Sequence, residues 1–140
     1  MLLKEFKTVK NEIYASVHYD QEKNTIADVW EGTFGTQDNF RNVILFMSDQ
    51  ILSRGITKWL ADLRNMKGSF DGSRDWMIQE IMPKLIQGGL LFEAIVLPKD
   101  IFAKLSTRDA IMKIENFELR QFDDLDEAKA WLNKTDAALA

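Results

Sequence analysis

The 140-residue sequence predicts an α/β fold: a five-stranded mixed, mainly parallel sheet with helices on both faces. Three observations predict it. Near the start of the chain, apolar residues recur with a period of two, as in a half-buried strand. Strand-like runs then alternate with helix-like ones, which implies parallel strands joined by right-handed crossovers. One late run is apolar almost throughout, as a central strand covered on both faces requires. The elements use nearly all of residues 1–140, so one domain is expected, with its core at about 12–132.

The first strand is expected at residues 12–19. Ile13, Ala15, Val17 and Tyr19 alternate there with Tyr14, Ser16 and His18. A polar turn at 20–24 leads to a second strand at 25–30, and the two form an antiparallel N-terminal hairpin. A long helix follows, with Thr36 or Asp38 accepting backbone N–H bonds at its start. Phe40, Val43, Ile44, Met47, Ile51 and Leu52 fall at helical spacing on one face. Arg54 suits the negative end of that helix, and Gly55 suits the left-handed residue that stops it. Residues 58–63 read as a short buried strand that pairs parallel after the crossover.

Residues 64–73 read as the longest irregular stretch in the chain. A helix opens near Asp71 or Ser73 and carries Trp76, Ile78, Ile81, Met82 and Leu85. Pro83 lacks an N–H and crowds the preceding turn, so a kink or restart is expected there. Gly88 and Gly89 end it. The apolar strand at 92–97 is broken in character only by Glu93. Asp100 caps a short helix with Ile101, Phe102 and Leu105, and residues 106–109 read as a second cap, with Asp109 as the reciprocal acid of a capping box. The last strand is expected at 117–122. The final helix starts at Asp123 or Asp124 and uses Leu125, Ala128, Trp131 and Leu132, with residues 133–140 as a frayed tail.

Composition removes several function classes. There is no cysteine, which excludes disulfides and thiolate metal sites, and the single histidine, His18, excludes His-pair ligation. The net charge of −4 with scattered basic residues offers no footprint for nucleic acid. No apolar run approaches the roughly 20 residues of a membrane helix, and no signal peptide is legible, so a cytoplasmic location is expected. Neither the phosphate-loop, the dinucleotide nor the Gly-x-Ser-x-Gly phrase occurs, and no cofactor is expected. Asp123, Asp124, Asp126 and Glu127 lack calcium-loop spacing and read as acids favouring a helix start, not as a metal site.

In an open α/β sheet, ligands favour the carboxyl ends of parallel strands. That places the candidate site after the third expected strand: Asp62, Arg64, Asn65, Ser69, Asp71 and Ser73. An Arg, an Asn and two hydroxyls there suit a carboxylate or phosphate beside a helix start. The ordinary alternative is an Asp62–Arg64 pair, with Asp71 and Ser73 as caps. Trp76 on the helix that follows extends the same surface. Phe40, Phe46, Met47, Trp76, Met77, Ile81, Met82, Phe102 and Met112 exceed what one stripe per helix needs. Such adaptable side chains suit an apolar ligand, a partner protein or a homodimer as well as a core.

Three phrases carry a family likeness: Lys58-Trp59-Leu60-Ala61-Asp62-Leu63-Arg64-Asn65-Met66, Ala94-Ile95-Val96-Leu97-Pro98-Lys99-Asp100-Ile101-Phe102 and Leu119-Arg120-Gln121-Phe122-Asp123-Asp124. With Trp76 and Trp131 they resemble the STAS-like proteins, named for sulfate transporters and anti-sigma factor antagonists. The likeness is greatest to the small stand-alone bacterial members grouped with Sec14-like lipid-binding domains. In anti-sigma factor antagonists a partner kinase phosphorylates a serine at the start of the helix after the third strand. Here Ser73 stands at that place, without the usual Asp-Ser-Ser-Gly phrase. The resemblance implies a non-enzymatic regulatory or protein-binding module that acts through the loop and helix start after the third strand. The alternative is a carrier or sensor of a lipid or other small apolar or anionic ligand. An enzyme acting on a small anionic substrate through Arg64 and Asp62 comes last.

Overall fold

A computed structural model describes the backbone of residues 1–139 and the side chains of residues 1–135. Six strands form one sheet in the order β1-β2-β3-β4-β5-β6. They are β1 (Leu2–Lys7), β2 (Ile13–Asp20), β3 (Thr25–Thr33), β4 (Lys58–Lys67), β5 (Phe92–Val96) and β6 (Glu118–Phe122). The β1–β2 and β2–β3 pairs are antiparallel. The β3–β4, β4–β5 and β5–β6 pairs are parallel. The α/β class, the mixed sheet and the hairpin are therefore as expected, but there are six strands instead of five. The additional strand, β1, is an edge strand in which Phe6 alone is buried. Its charged, mostly exposed side chains leave little alternation to detect.

The helices are α1 (Gln37–Arg54), α2 (Asp71–Trp76), α3 (Met82–Gln87), α4 (Ile101–Lys113) and α5 (Leu125–Leu139). Thr36 caps α1 by accepting from the Asn39 N–H at 3.1 Å. Gly55 ends it at φ 64°, a conformation that costs glycine little. Five of the six expected face residues of α1 are buried, while Leu52 is exposed. On one face of the sheet Leu60, Ala94 and Val96 pack against Ala128 and Leu132 of α5. The larger core lies on the other face, under α1 to α4.

Four local expectations meet the structure, three of them as corrections. First, β4 runs to Lys67, so the irregular stretch shrinks to the link between Lys67 and Asp71. The β3–β4 register slips between Val29 and Glu31, where β4 holds one extra residue. That bulge changes the inward spacing from Trp59, Ala61 and Leu63 to Met66, which reads in sequence as the end of a strand. Second, and as expected, the helix restarts at Pro83: a π-helical turn at Met77–Ile81 joins α2 to α3, and Pro83 stands in the first turn of α3. The wider turn makes room for the Pro83 ring, which would crowd the carbonyl four residues back. Third, α4 is one continuous helix capped only by Asp100, which accepts from the Ala103 N–H at 3.1 Å. Thr107 satisfies its hydroxyl on the Ala103 carbonyl at 2.8 Å, and Ser106 turns to another helix. Fourth, α5 continues through Leu139 in place of the expected frayed tail. Good helix formers and the Thr135 hydroxyl, bonded to the Leu132 carbonyl at 2.6 Å, carry it on. Ala140 lies outside the described residues.

Candidate functional site

The period of two in the strands decides what faces what. In β3, Ile26, Asp28 and Trp30 point to the larger core, and all three are buried. The register sets Ile26 beside Trp59 and Asp28 beside Ala61 on β4. On β5, Glu93 lies beside Trp59 and Ile95 beside Ala61. Two acids, Asp28 and Glu93, thus stand on one sheet face in diagonal positions, with β4 between them. Their relative exposures are 2% and 4%.

The two acids are treated differently by their neighbours. Trp30 donates its indole N–H to Asp28 Oδ2 at 2.6 Å, and Trp59 donates to Oδ1 at 2.7 Å. Burial still pushes the Asp28 carboxyl up, to about 6; the two indole donors oppose that rise and the Asp62 charge adds to it. No hydrogen bond from the described residues reaches the Glu93 carboxyl. Burial, with the Asp28 charge second, holds Glu93 well above the usual carboxylate range. Like charges in one dry site do not both ionise cheaply. Of the two, Asp28, which has the donors, is the acid that more readily carries the charge, and Glu93 the one that more readily keeps its proton.

Both acids line a cavity of about 60 Å³ between the sheet and the helices. Trp30, Trp59, Phe40 and Met77 supply much of its apolar wall, and Ile111 and Ile114 close it from the α4 side. None of the described residues lining it is basic. The sequence pattern misses this site. The signal is present, since Asp28 sits at inward parity between Ile26 and Trp30, and Glu93 interrupts an apolar strand. Neither can be joined to the other before the register is known.

The expected loop site is divided. Asp62 and Arg64 form a two-toothed pair, with Nε on Oδ1 and Nη2 on Oδ2, each at 2.9 Å. Asp62 lies on the α5 side of the sheet with Leu60, so the guanidinium is occupied away from the serines. Asp62, first through its hydrogen bond and then through its charge, raises the Arg64 pKa. Asn65 is exposed, and with Arg64, Lys67 and Lys99 it borders an open depression at the end of β4.

Ser69, Asp71 and Ser73 fall instead among the helices. Ser69 Oγ lies 2.9 Å from Ser106 Oγ and accepts from the Asp71 N–H at 3.1 Å. Ser106 donates to Asp71 Oδ1 at 2.8 Å, tying α4 to the start of α2. Ser73 is fully buried. It donates to Gln37 Oε1 at 2.7 Å and accepts from Arg41 Nε at 3.1 Å. Its hydroxyl is therefore a fastener between α1 and α2, and a kinase would reach it only after those helices part. Trp76 is half-buried beneath the Arg41 guanidinium, 5.1 Å from its ring centre.

Beside this network, α4 exposes an apolar row. Ile101, Phe102, Leu105 and Met112 are 57%, 65%, 58% and 82% exposed. Phe46 and Met77, which the helical spacing leaves off the main faces, are both half-buried against the core. Arg74 of α2 pairs with Asp109 of α4. Among the described residues no group of three or more acids and histidines is placed to hold a metal ion. Among them, too, no helix is long and apolar enough to cross a membrane.

A family model described as SpoIIAA-like matches residues 25–133, well over half of the chain, and the chain belongs to that family. The match agrees with the STAS-like likeness of the three sequence phrases. No curated protein and no solved structure matches the chain.

Proposed function

We propose that this member of the SpoIIAA-like family is a non-enzymatic regulatory module that binds a protein partner through the surface formed by α2 and α4. The observation that carries the reading is the row Ile101, Phe102, Leu105 and Met112, more than half of each exposed. Large apolar side chains grouped on one helix are costly to leave in water and are commonly covered by a partner. The hydrogen bonds among Ser69, Asp71 and Ser106 and the Arg74–Asp109 pair hold α4 against α2. That rigidity lowers the ordering cost of binding. Within this reading Asp71, Ser73 and Trp76 support the surface, while Asp62, Arg64 and Asn65 lie outside it.

The test is capture from native cells with the wild-type chain and with Phe102→Asp/Leu105→Asp. A partner retained by the wild type and lost by the variant, with the thermal midpoint unchanged, supports the proposal. Equal capture by both overturns it.

A second reading, a carrier or sensor of a small ligand, is supported by a different observation. The cavity beside Asp28 and Glu93 combines apolar walls with two convergent polar groups, the usual make-up of a small-molecule site.

A further inference from the structure

We propose that the cavity between the sheet and α4 binds a small organic cation: a primary ammonium seated between Asp28 and Glu93, with a short apolar body against Trp30, Trp59, Phe40 and Met77. The proposal rests on the second reading above and names its ligand class.

Charge complementarity carries it. Asp28 is a buried acid with two indole donors but no cation among the described residues lining the cavity. A buried charge of that kind is costly unless a counter-charge reaches it. Glu93 is an independent observation. Its side chain is more than nine-tenths buried, lines the same cavity and has no hydrogen-bond partner among the described residues. Its carboxyl oxygens are not among the sealed, unpartnered atoms of the interior; they open to the cavity, where a donor can reach them. An ammonium offers three donors, enough to serve both carboxyl groups at once. An anion would meet two acids and no basic group. A neutral alcohol would pair with one acid and leave the Asp28 charge uncompensated.

Size and wall chemistry agree. At roughly 10–15 Å³ per water-sized position, the cavity of about 60 Å³ holds on the order of four to six heavy atoms. Indole and phenyl rings favour a cation near their faces and an alkyl chain alongside. The polarizable Met77 side chain adapts to its shape. Binding has a proton consequence as well. Burial and the Asp28 charge raise the Glu93 pKa, and an ammonium beside it acts the other way, favouring the carboxylate. Ligand uptake therefore favours proton release from Glu93.

The experiment uses n-butylammonium chloride, n-butanol and sodium butyrate as probes of matched length on the full chain near pH 7.5. Indole N–H resonances and titration calorimetry in two buffers of different ionisation enthalpy supply the readouts. The proposal expects butylammonium to shift the Trp30 and Trp59 indole resonances and to bind at least about tenfold tighter than butanol. It also expects a buffer-dependent heat from the released proton and no binding of butyrate. Glu93→Gln, which keeps size and removes the charge, weakens butylammonium about tenfold or more. If butanol binds as well as butylammonium, the cation proposal falls while the small-ligand site stands. If none of the three probes moves the indole resonances, both fall. Undiminished binding by Glu93→Gln also overturns the proposal, and the proton-release measurement on the wild type decides the matter if that variant does not fold.

Discussion

The buried carboxylate Asp28 makes the stability of this protein depend on pH in an unusual direction. Most acids gain partners on folding and are stabilising above their unfolded pKa; Asp28 does the opposite. Its carboxyl moves from 3.8 to about 6 on burial, so the folded state binds its proton more tightly than the unfolded state does. The sign follows by linkage: the contribution is complete below 3.8 and is lost as pH climbs through about 6. The shift is about two units, each worth about 1.4 kcal/mol, so the loss is on the order of 3 kcal/mol. Glu93, raised by burial and by Asp28, adds to the decline in the same sense. His18, lowered chiefly by burial, and Asp100, lowered chiefly by the Gly68 N–H, act in the opposite sense.

The assay is urea unfolding of the wild type and Asp28→Asn at a series of pH values from about 3 to about 7.5, a range that spans the shift from 3.8 to about 6. Both proteins share His18 and Asp100, so the difference between them reports Asp28 together with its coupling to Glu93. The substituted amide has one acceptor oxygen for two indole donors, which lowers stability at every pH by about 1–3 kcal/mol. That is an offset, not a slope. The wild type should lose about 3 kcal/mol relative to the variant across the range, a midpoint change of roughly 1–3 M urea. Parallel profiles, or a difference that grows with pH, would show that Asp28 is not held in the dry site described.

Two further outcomes separate fold from surface. Ile95→Ala empties a position only 7% exposed in the larger core and should lower unfolding free energy by about 2–5 kcal/mol. Arg64→Ala should cost about 1 kcal/mol, since the guanidinium is 36% exposed but its loss leaves the 7%-exposed Asp62 carboxylate unpaired. Adding Asp62→Asn should recover part of that loss in a double-mutant cycle, and purely additive costs would refute the pairing.

How much is legible in the sequence depends on whether the cause is local. The hairpin, the Thr36 cap, the Gly55 stop and the capping role of Asp100 each rest on a few adjacent residues, and each is found. The sequence pattern cuts β4 short because the bulge that re-aims Met66 is set by its partner strand. Ser106 reads as a cap because its true partners, Ser69 and Asp71, lie more than thirty residues away. The candidate loop looks like one site because its residues are neighbours in sequence. Strand parity and the α1–α2 packing send Asp62 with Arg64 one way and Ser73 another.

The α/β class and the mixed sheet can be read from the residues alone, because periodicity, caps and turn residues act over one or two helical turns or a single strand; the family likeness rests instead on three particular phrases. Composition also excludes thiolate chemistry. The place of the unusual site is set by packing in three dimensions. Asp28 and Glu93 are ordinary acids in separate strands until parallel pairing places them on one face, and packing of α1 to α4 removes the water above them. Burial then raises both pKa values, and two indoles favour the charge on Asp28. These effects depend on distance through space and on the loss of solvent, and neither is written in the order of the residues.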